Sequence, residues 1–154
     1  MADTIRVVDY YYTTTPDKAG EGATQLGVLR NARTNLLALS AFPSKRKIQV
    51  DFVPSDSAAF LAAAKAAKVK LSKAKKVILI QGDDRIGAIQ EILAKLAAAK
   101  INVTSVQGVS AGGGRYGALL WVDQKNVKKA ATALGATTSV TPSTPPIAST
   151  APAW

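Results

Sequence analysis

The chain has 154 residues, 47% hydrophobic and 19% charged, with 20 Lys and Arg against 10 Asp and Glu for a formal charge of +10. It contains no Cys and no His, which excludes disulfide scaffolds, Cys/His metal sites, thiol nucleophiles and histidine acid–base catalysis. No apolar run approaches the ~20 residues of a membrane-spanning helix, and the opening Met1–Arg6 lacks the apolar stretch of a secretion signal, so the sequence predicts a cytoplasmic protein without membrane attachment.

The first predicted strand runs from Ile5 to Thr14. Within it, alternation sends Tyr10 and Tyr12 to one face and Tyr11 to the other, so these rings are expected to pack rather than to stack bases. A helix follows from about Gly22 to Arg33, then a strand from Asn35 to Phe42 and a turn at Pro43 to Lys47. Ile48, Val50 and Phe52 alternate with Gln49 and Asp51, the pattern of a half-buried strand. Ser57 is the expected cap of a helix that buries Phe60, Ala63, Ala64 and Ala67, and Val69 to Leu71 leads onward.

The same plan then recurs. Val77-Ile78-Leu79-Ile80 is a short apolar run of the kind buried on both faces. Ile89, Ile92, Leu93 and Leu96 share one helical face, with Glu91 and Lys95 as an outward pair. Strands Val103 to Val109 and Tyr116 to Val122 flank Gly112-Gly113-Gly114, a run suited to the positive φ of a hairpin. Asp123 is the expected cap of a last helix that buries Val127, Ala130, Ala131 and Leu134 and stops at Gly135. Ala136 to Val140 offers a closing strand.

Aligning Asp17 on Asp84, an offset of 67 residues, also brings Gly20 onto Gly87, Leu26 onto Leu93, Asn35 onto Asn102 and Asp56 onto Asp123 without a gap. Register kept through turns as well as helices indicates two copies of one unit. Each copy reads βαββαβ, and right-handed crossovers place both helices on one face of a four-stranded antiparallel sheet. The expected fold is therefore α+β, two ferredoxin-like repeats over residues 1–72 and 73–140, followed by a Pro/Thr-rich flexible tail over 141–154.

Both copies pass from strand to helix through an acid and a glycine, Asp17-Lys18-Ala19-Gly20-Glu21-Gly22 and Asp84-Arg85-Ile86-Gly87. The glycine permits a tight turn and presents free N–H groups at a helix start, which favours a carboxylate or phosphate. The neighbouring Asp accepts from an ammonium group. Asp17, Gly20, Gly22 and Asn35 in the first copy, and Asp84, Gly87, Ala88 and Asn102 in the second, are thus the candidate ligand-binding residues. Asp and Gly also make ordinary turns. No residues have the spacing of a catalytic or metal site, so no enzyme activity and no cofactor are expected.

Asp84-Arg85-Ile86-Gly87-Ala88 and Ala97-Ala98-Ala99-Lys100-Ile101-Asn102-Val103 resemble the ACT domain, in which D-R-x-G-x-L precedes a helix ending in A-x-x-x-I-N-I. The resemblance extends over both repeats. It implies a regulatory module that binds an amino acid or similar small effector where two such domains meet, in a homo-oligomer, without catalysis. The alternatives are a scaffold that only dimerises and a basic nucleic-acid-binding protein on the same fold. For the latter, Lys73, Lys75 and Lys76 belong to an acid-free run, with weak, nonspecific binding expected.

Overall fold

A computed structural model of the protein describes residues 3–138, which form seven strands and four α-helices. The expected tail over 141–154 lies outside the described residues. Internal contacts divide the chain into two compact units, one of Asp9–Ala74 and one in which residues 3–8 join residues 75–138. The first strand, β1 (Thr4–Pro16), therefore contributes to both.

In the Asp9–Ala74 unit, β1 is followed by α1 (Glu21–Asn31), β2 (Leu36–Ser44), β3 (Lys47–Pro54) and α2 (Ser57–Ala66). β3 lies antiparallel to both β1 and β2, with Phe52 opposite Tyr11 on one side and Leu39 on the other. Tyr11, Val50 and Phe52 point to one face and meet Leu29 of α1 and Phe60 and Ala63 of α2, so both helices cover that face. The Phe60 ring is 5.5 Å from Tyr11 and 5.4 Å from Phe52, the spacing of favourable aromatic pairs. Tyr10 and Tyr11 are both 5% exposed, which leaves neither ring free to stack.

The cap of α2 differs from expectation. Asp56, not Ser57, accepts the Ala59 N–H at 3.1 Å, because a carboxylate one residue earlier reaches the third helical N–H and also suits the helix dipole. Ala67, expected in the core, lies beyond the last helical residue and is exposed.

In the other unit, β4 (Lys75–Asp83), α3 (Ala88–Ala98), β5 (Val103–Gly112), β6 (Arg115–Val122) and α4 (Val127–Leu134) follow the same order. β6 lies antiparallel between β4 and β5. Gly112, Gly113 and Gly114 all take positive φ at the hairpin. Ile78, Ile80, Tyr116 and Leu120 face Ile92 and Leu96 of α3 and Ala130 and Leu134 of α4, again with both helices on one face. Val77, Leu79, Leu119 and Trp121 are buried as well, so both faces of these central strands are covered. Asp123 caps a short 3₁₀ turn by accepting the Lys125 N–H at 3.0 Å, and α4 begins only at Val127. It ends at Gly135, in the left-handed region at φ 65.

The start of β1 lies beside β4, where Arg6 donates to Gln81 at 3.0 Å. That position would fall to the last strand of a self-contained βαββαβ unit. With it filled, β7 (Thr137–Thr138) pairs with β1 instead, in parallel, Thr137 opposite Arg6. The expected closing strand is thus displaced by one place, and residues 139 and 140 lie outside the described residues.

Candidate functional site

Both strand–helix loops end in a left-handed glycine at the helix N-cap, Gly20 at φ 92 and Gly87 at φ 82. Neither helix has a side-chain cap, so N–H groups of its first turn are left for solvent or a ligand. At the start of α3 these groups border a cavity of about 320 Å³, a volume that suits a small molecule. Asp84, Arg85 and the start of α3 from Gly87 to Gln90 form one wall, Gly108, Val109 and Ser110 of β5 another, and Tyr116 of β6 also lines it.

Hydrogen bonds hold the loop against the hairpin. The Asp84 N–H donates to Gly114 O at 2.8 Å, and the Ser110 hydroxyl donates to the Asp84 carboxylate at 2.7 Å. Gly108 brings α3 close to β5, since a Cβ there would stand 2.2 Å from Ile89 Cδ1.

Arg85 is engaged by two carboxylates. It donates to both oxygens of Asp3 at 3.1 Å and to Glu91 at 2.6 Å. Glu91 was expected to pair with Lys95, but the loop conformation at Gly87 brings Arg85 to it instead. Asp3 occupies the space above Gly82, where a Cβ would come within 2.0 Å of Asp3 Oδ1. The Arg85 guanidinium holds the Asp3 carboxyl below its ordinary 3.8 against the opposing effect of burial. Burial first, then the Asp3 carboxylate, pushes the Tyr116 phenol up to about 12. The Tyr116 hydroxyl is buried beside the Asp3 carboxylate.

Of the sequence-predicted ligand residues, Asp84, Gly87 and Ala88 line the cavity. Asn102 precedes β5, at the opposite end of that strand from Gly108 to Ser110. The 11 residues of α3 carry the chain ~16 Å from the loop before Asn102 is reached. Asn35 likewise follows α1, and its carbonyl accepts the Ser55 N–H and hydroxyl, both at 3.0 Å. Asp17, Gly20 and Gly22 are exposed around the start of α1. There Glu21 accepts from Thr15 at 3.3 Å and pairs with Lys18 at 3.2 Å, so the chain's own carboxylate stands where the helix dipole favours an anion. Ala88 is its counterpart in the α3 loop. Lys73 is exposed, Lys75 opens β4, and the backbone of Lys76 exchanges hydrogen bonds of 2.8 and 2.9 Å with the Gln124 side chain.

Sequence reasoning missed Asp3, Gly108, Ser110 and Tyr116. Only Gly108 carried a local signal, a glycine inside a strand pattern. Among the described residues, no helix is long and apolar enough to cross a membrane and no group of three or more acidic residues is placed to hold a metal ion.

No protein-family model and no curated protein sequence matches the chain. Solved structures do. Protein BT0572 from Bacteroides thetaiotaomicron aligns with a TM-score of 0.73 at 18% identity, over 84% of this chain and 87% of that one. A structure of aspartokinase alpha and beta subunits aligns at 0.57 and 17% identity, covering 87% and 95%. The regulatory subunit of aspartate kinase from Thermus thermophilus aligns at 0.57 and 12% identity, covering 86% and 94%. These likenesses show the fold, an α+β architecture shared with the regulatory subunit of aspartate kinase.

Proposed function

We propose that the protein is a regulatory, non-catalytic small-ligand-binding protein whose effector, an amino acid or similar small carboxylate, occupies the cavity at the start of α3. The observation that carries this reading is the convergence on one cavity of an uncapped helix start and the Asp84 carboxylate, with the Tyr116 side chain as part of the lining. The effector carboxylate meets the first-turn N–H groups of α3, its ammonium meets Asp84, and Ile89 and Val109 supply apolar walls. Because Arg85 is already paired, the helix start rather than a guanidinium receives the anion. The regulatory role is supported by the fold shared with regulatory subunits of aspartate kinase.

A second copy of the chain is proposed to close the cavity. β5 ends the strand order, is exposed along nearly its whole length and carries neither charge nor proline. Edge strands that avoid pairing usually carry such features. Gly108, Val109 and Ser110 belong both to this edge and to the cavity, so pairing at β5 would add a wall.

A thermal-shift screen of the twenty amino acids and small carboxylates tests the proposal. The effector at 100 times its dissociation constant should stabilise the protein by ~2.7 kcal/mol. If calorimetry also detects no binding for any compound in the set, the proposal fails.

A further inference from the structure

The hairpin of the Asp9–Ala74 unit carries charge at a place where backbone geometry disfavours it. Its two tip residues, Lys45 and Arg46, take positive φ of 48 and 67. A two-residue turn of this kind is normally filled by Asn-Gly or another glycine-containing pair, because side chains are strained in the left-handed region. Strain retained at an exposed tip points to a use for the side chains. In the other unit the corresponding tip consists of Gly112, Gly113 and Gly114.

Further cations gather at the same end of this unit. Lys47 lies opposite Pro16, the last residue of β1. β3 runs from there to Pro54 and α2 returns along the sheet, so Lys65 in its last turn and Lys68 just beyond come back toward the tip. The chain then reaches Ser72, whose N–H donates to Tyr12 O at 2.8 Å, with Lys70 on the way. Lys45, Arg46, Lys47, Lys65, Lys68 and Lys70 are all exposed, and none has an acidic partner among the described residues. Phe42, 39% exposed, stands opposite Gln49 while Ser44 stands opposite Lys47. Alternation puts Phe42 and Lys47 on the same face, opposite the one that α1 and α2 cover, since Val50 and Phe52 point to the helices.

We propose that this end of the unit binds single-stranded nucleic acid, with phosphates against the six cations and a base stacked on Phe42. A strand backbone can pass around the hairpin tip, from Phe42 and Lys47 on one face to Lys65 and Lys68 at the helix end on the other, and an exposed ring beside the tip is the usual stacking platform. An acidic membrane fits less well, because one phenyl ring offers little apolar surface and the hairpin is not an amphipathic helix. The surface is independent of the effector site proposed at α3.

The test measures fluorescence anisotropy with labelled oligo-dT and oligo-U of about 12 nucleotides, at salt from about 50 to 200 mM. Lys45→Asn/Arg46→Gly supplies the favoured turn sequence, so its melting temperature should hold or rise while affinity at low salt falls about tenfold. The slope of log affinity against log salt should shrink by about 1.4, for two phosphates at ~0.7 each. Lys65→Gln/Lys68→Asn, which leaves the turn untouched, should reproduce the loss. Phe42→Ala should weaken binding about fivefold or more without changing the slope. Unchanged affinity in both cation variants overturns the proposal. Binding to phosphatidylserine vesicles in preference to the oligonucleotides overturns it as well.

Discussion

Arg85 holds Asp3 across 82 residues of sequence through two hydrogen bonds, Nη1 to Oδ1 and Nη2 to Oδ2, each 3.1 Å. The Asp3 side chain is only 8% exposed, and Arg85 stands in the loop that opens the α3 cavity. The first residues of β1 are thereby tied to the loop that presents the α3 helix start.

Asp3→Asn should lower the melting temperature near neutral pH by about 2–6 °C. The folded-state carboxyl is held below 3.8, chiefly by Arg85, so the stabilisation is fully present above that unfolded value and fades as pH falls through the lowered one. Melting curves of both proteins between neutral and acid pH should converge toward the acid end. A gap that stays constant would show that Asp3 acts through shape rather than charge.

Gly87→Ala should cost about 1–2 kcal/mol through the left-handed backbone alone, since nothing lies within 4 Å of the added Cβ. Effector affinity should fall as well, because the first-turn N–H groups of α3 lose their presentation. The matching Gly20→Ala should cost stability without altering that affinity. Calorimetry on the folded variants separates the two effects.

Gly108→Ala forces Ile89 Cδ1 away from a Cβ that would otherwise be 2.2 Å distant. Denaturant unfolding should register a loss of about 1–3 kcal/mol. Adding Ile89→Val, which removes the clashing methyl, should recover most of it. A loss that persists in the double variant would place the strain in the strand backbone.

Tyr116→Phe removes a buried hydroxyl that lies beside the Asp3 carboxylate. The unliganded protein should keep its stability to within about 1 kcal/mol, and effector affinity should be unchanged, because the hydroxyl has no surface open to the cavity. A clear loss of unliganded stability would mean that the hydroxyl already has a partner. Ultraviolet titration should find one phenol deprotonating near 12.

Val109→Lys puts a charge on the edge strand β5 at a residue 66% exposed. If copies pair there, light scattering should show a smaller species than the unmodified protein. The same variant should weaken effector binding, because Val109 also lines the cavity. An unaltered assembly would remove β5 from the interface.

Much of the fold was legible because local chemistry carries it. The period-3.6 face of Ile92 and Leu96, the alternation of Val50 and Phe52, and the glycine hairpin each record their element within a few residues. Gly20 and Gly87 were readable for the same reason, since a strand-to-helix turn needs a residue that accepts positive φ. The 67-residue self-alignment then paired the two loops.

What the sequence by itself determined was the order of elements, the repeat and the two glycine-started helices, all products of local backbone preference and amphipathic period. Tertiary structure alone decided that β1 is divided between two units at Val8 and Asp9, because strand pairing joins residues far apart and leaves no local pattern. It also decided how each loop is held. Glu21 and Ala88 occupy the same place in the repeat, yet Glu21 is drawn to Thr15 and Lys18 while the loop before Ala88 is held by Asp3, Gly114 and Ser110. Those last three partners come from distant segments that only folding brings together.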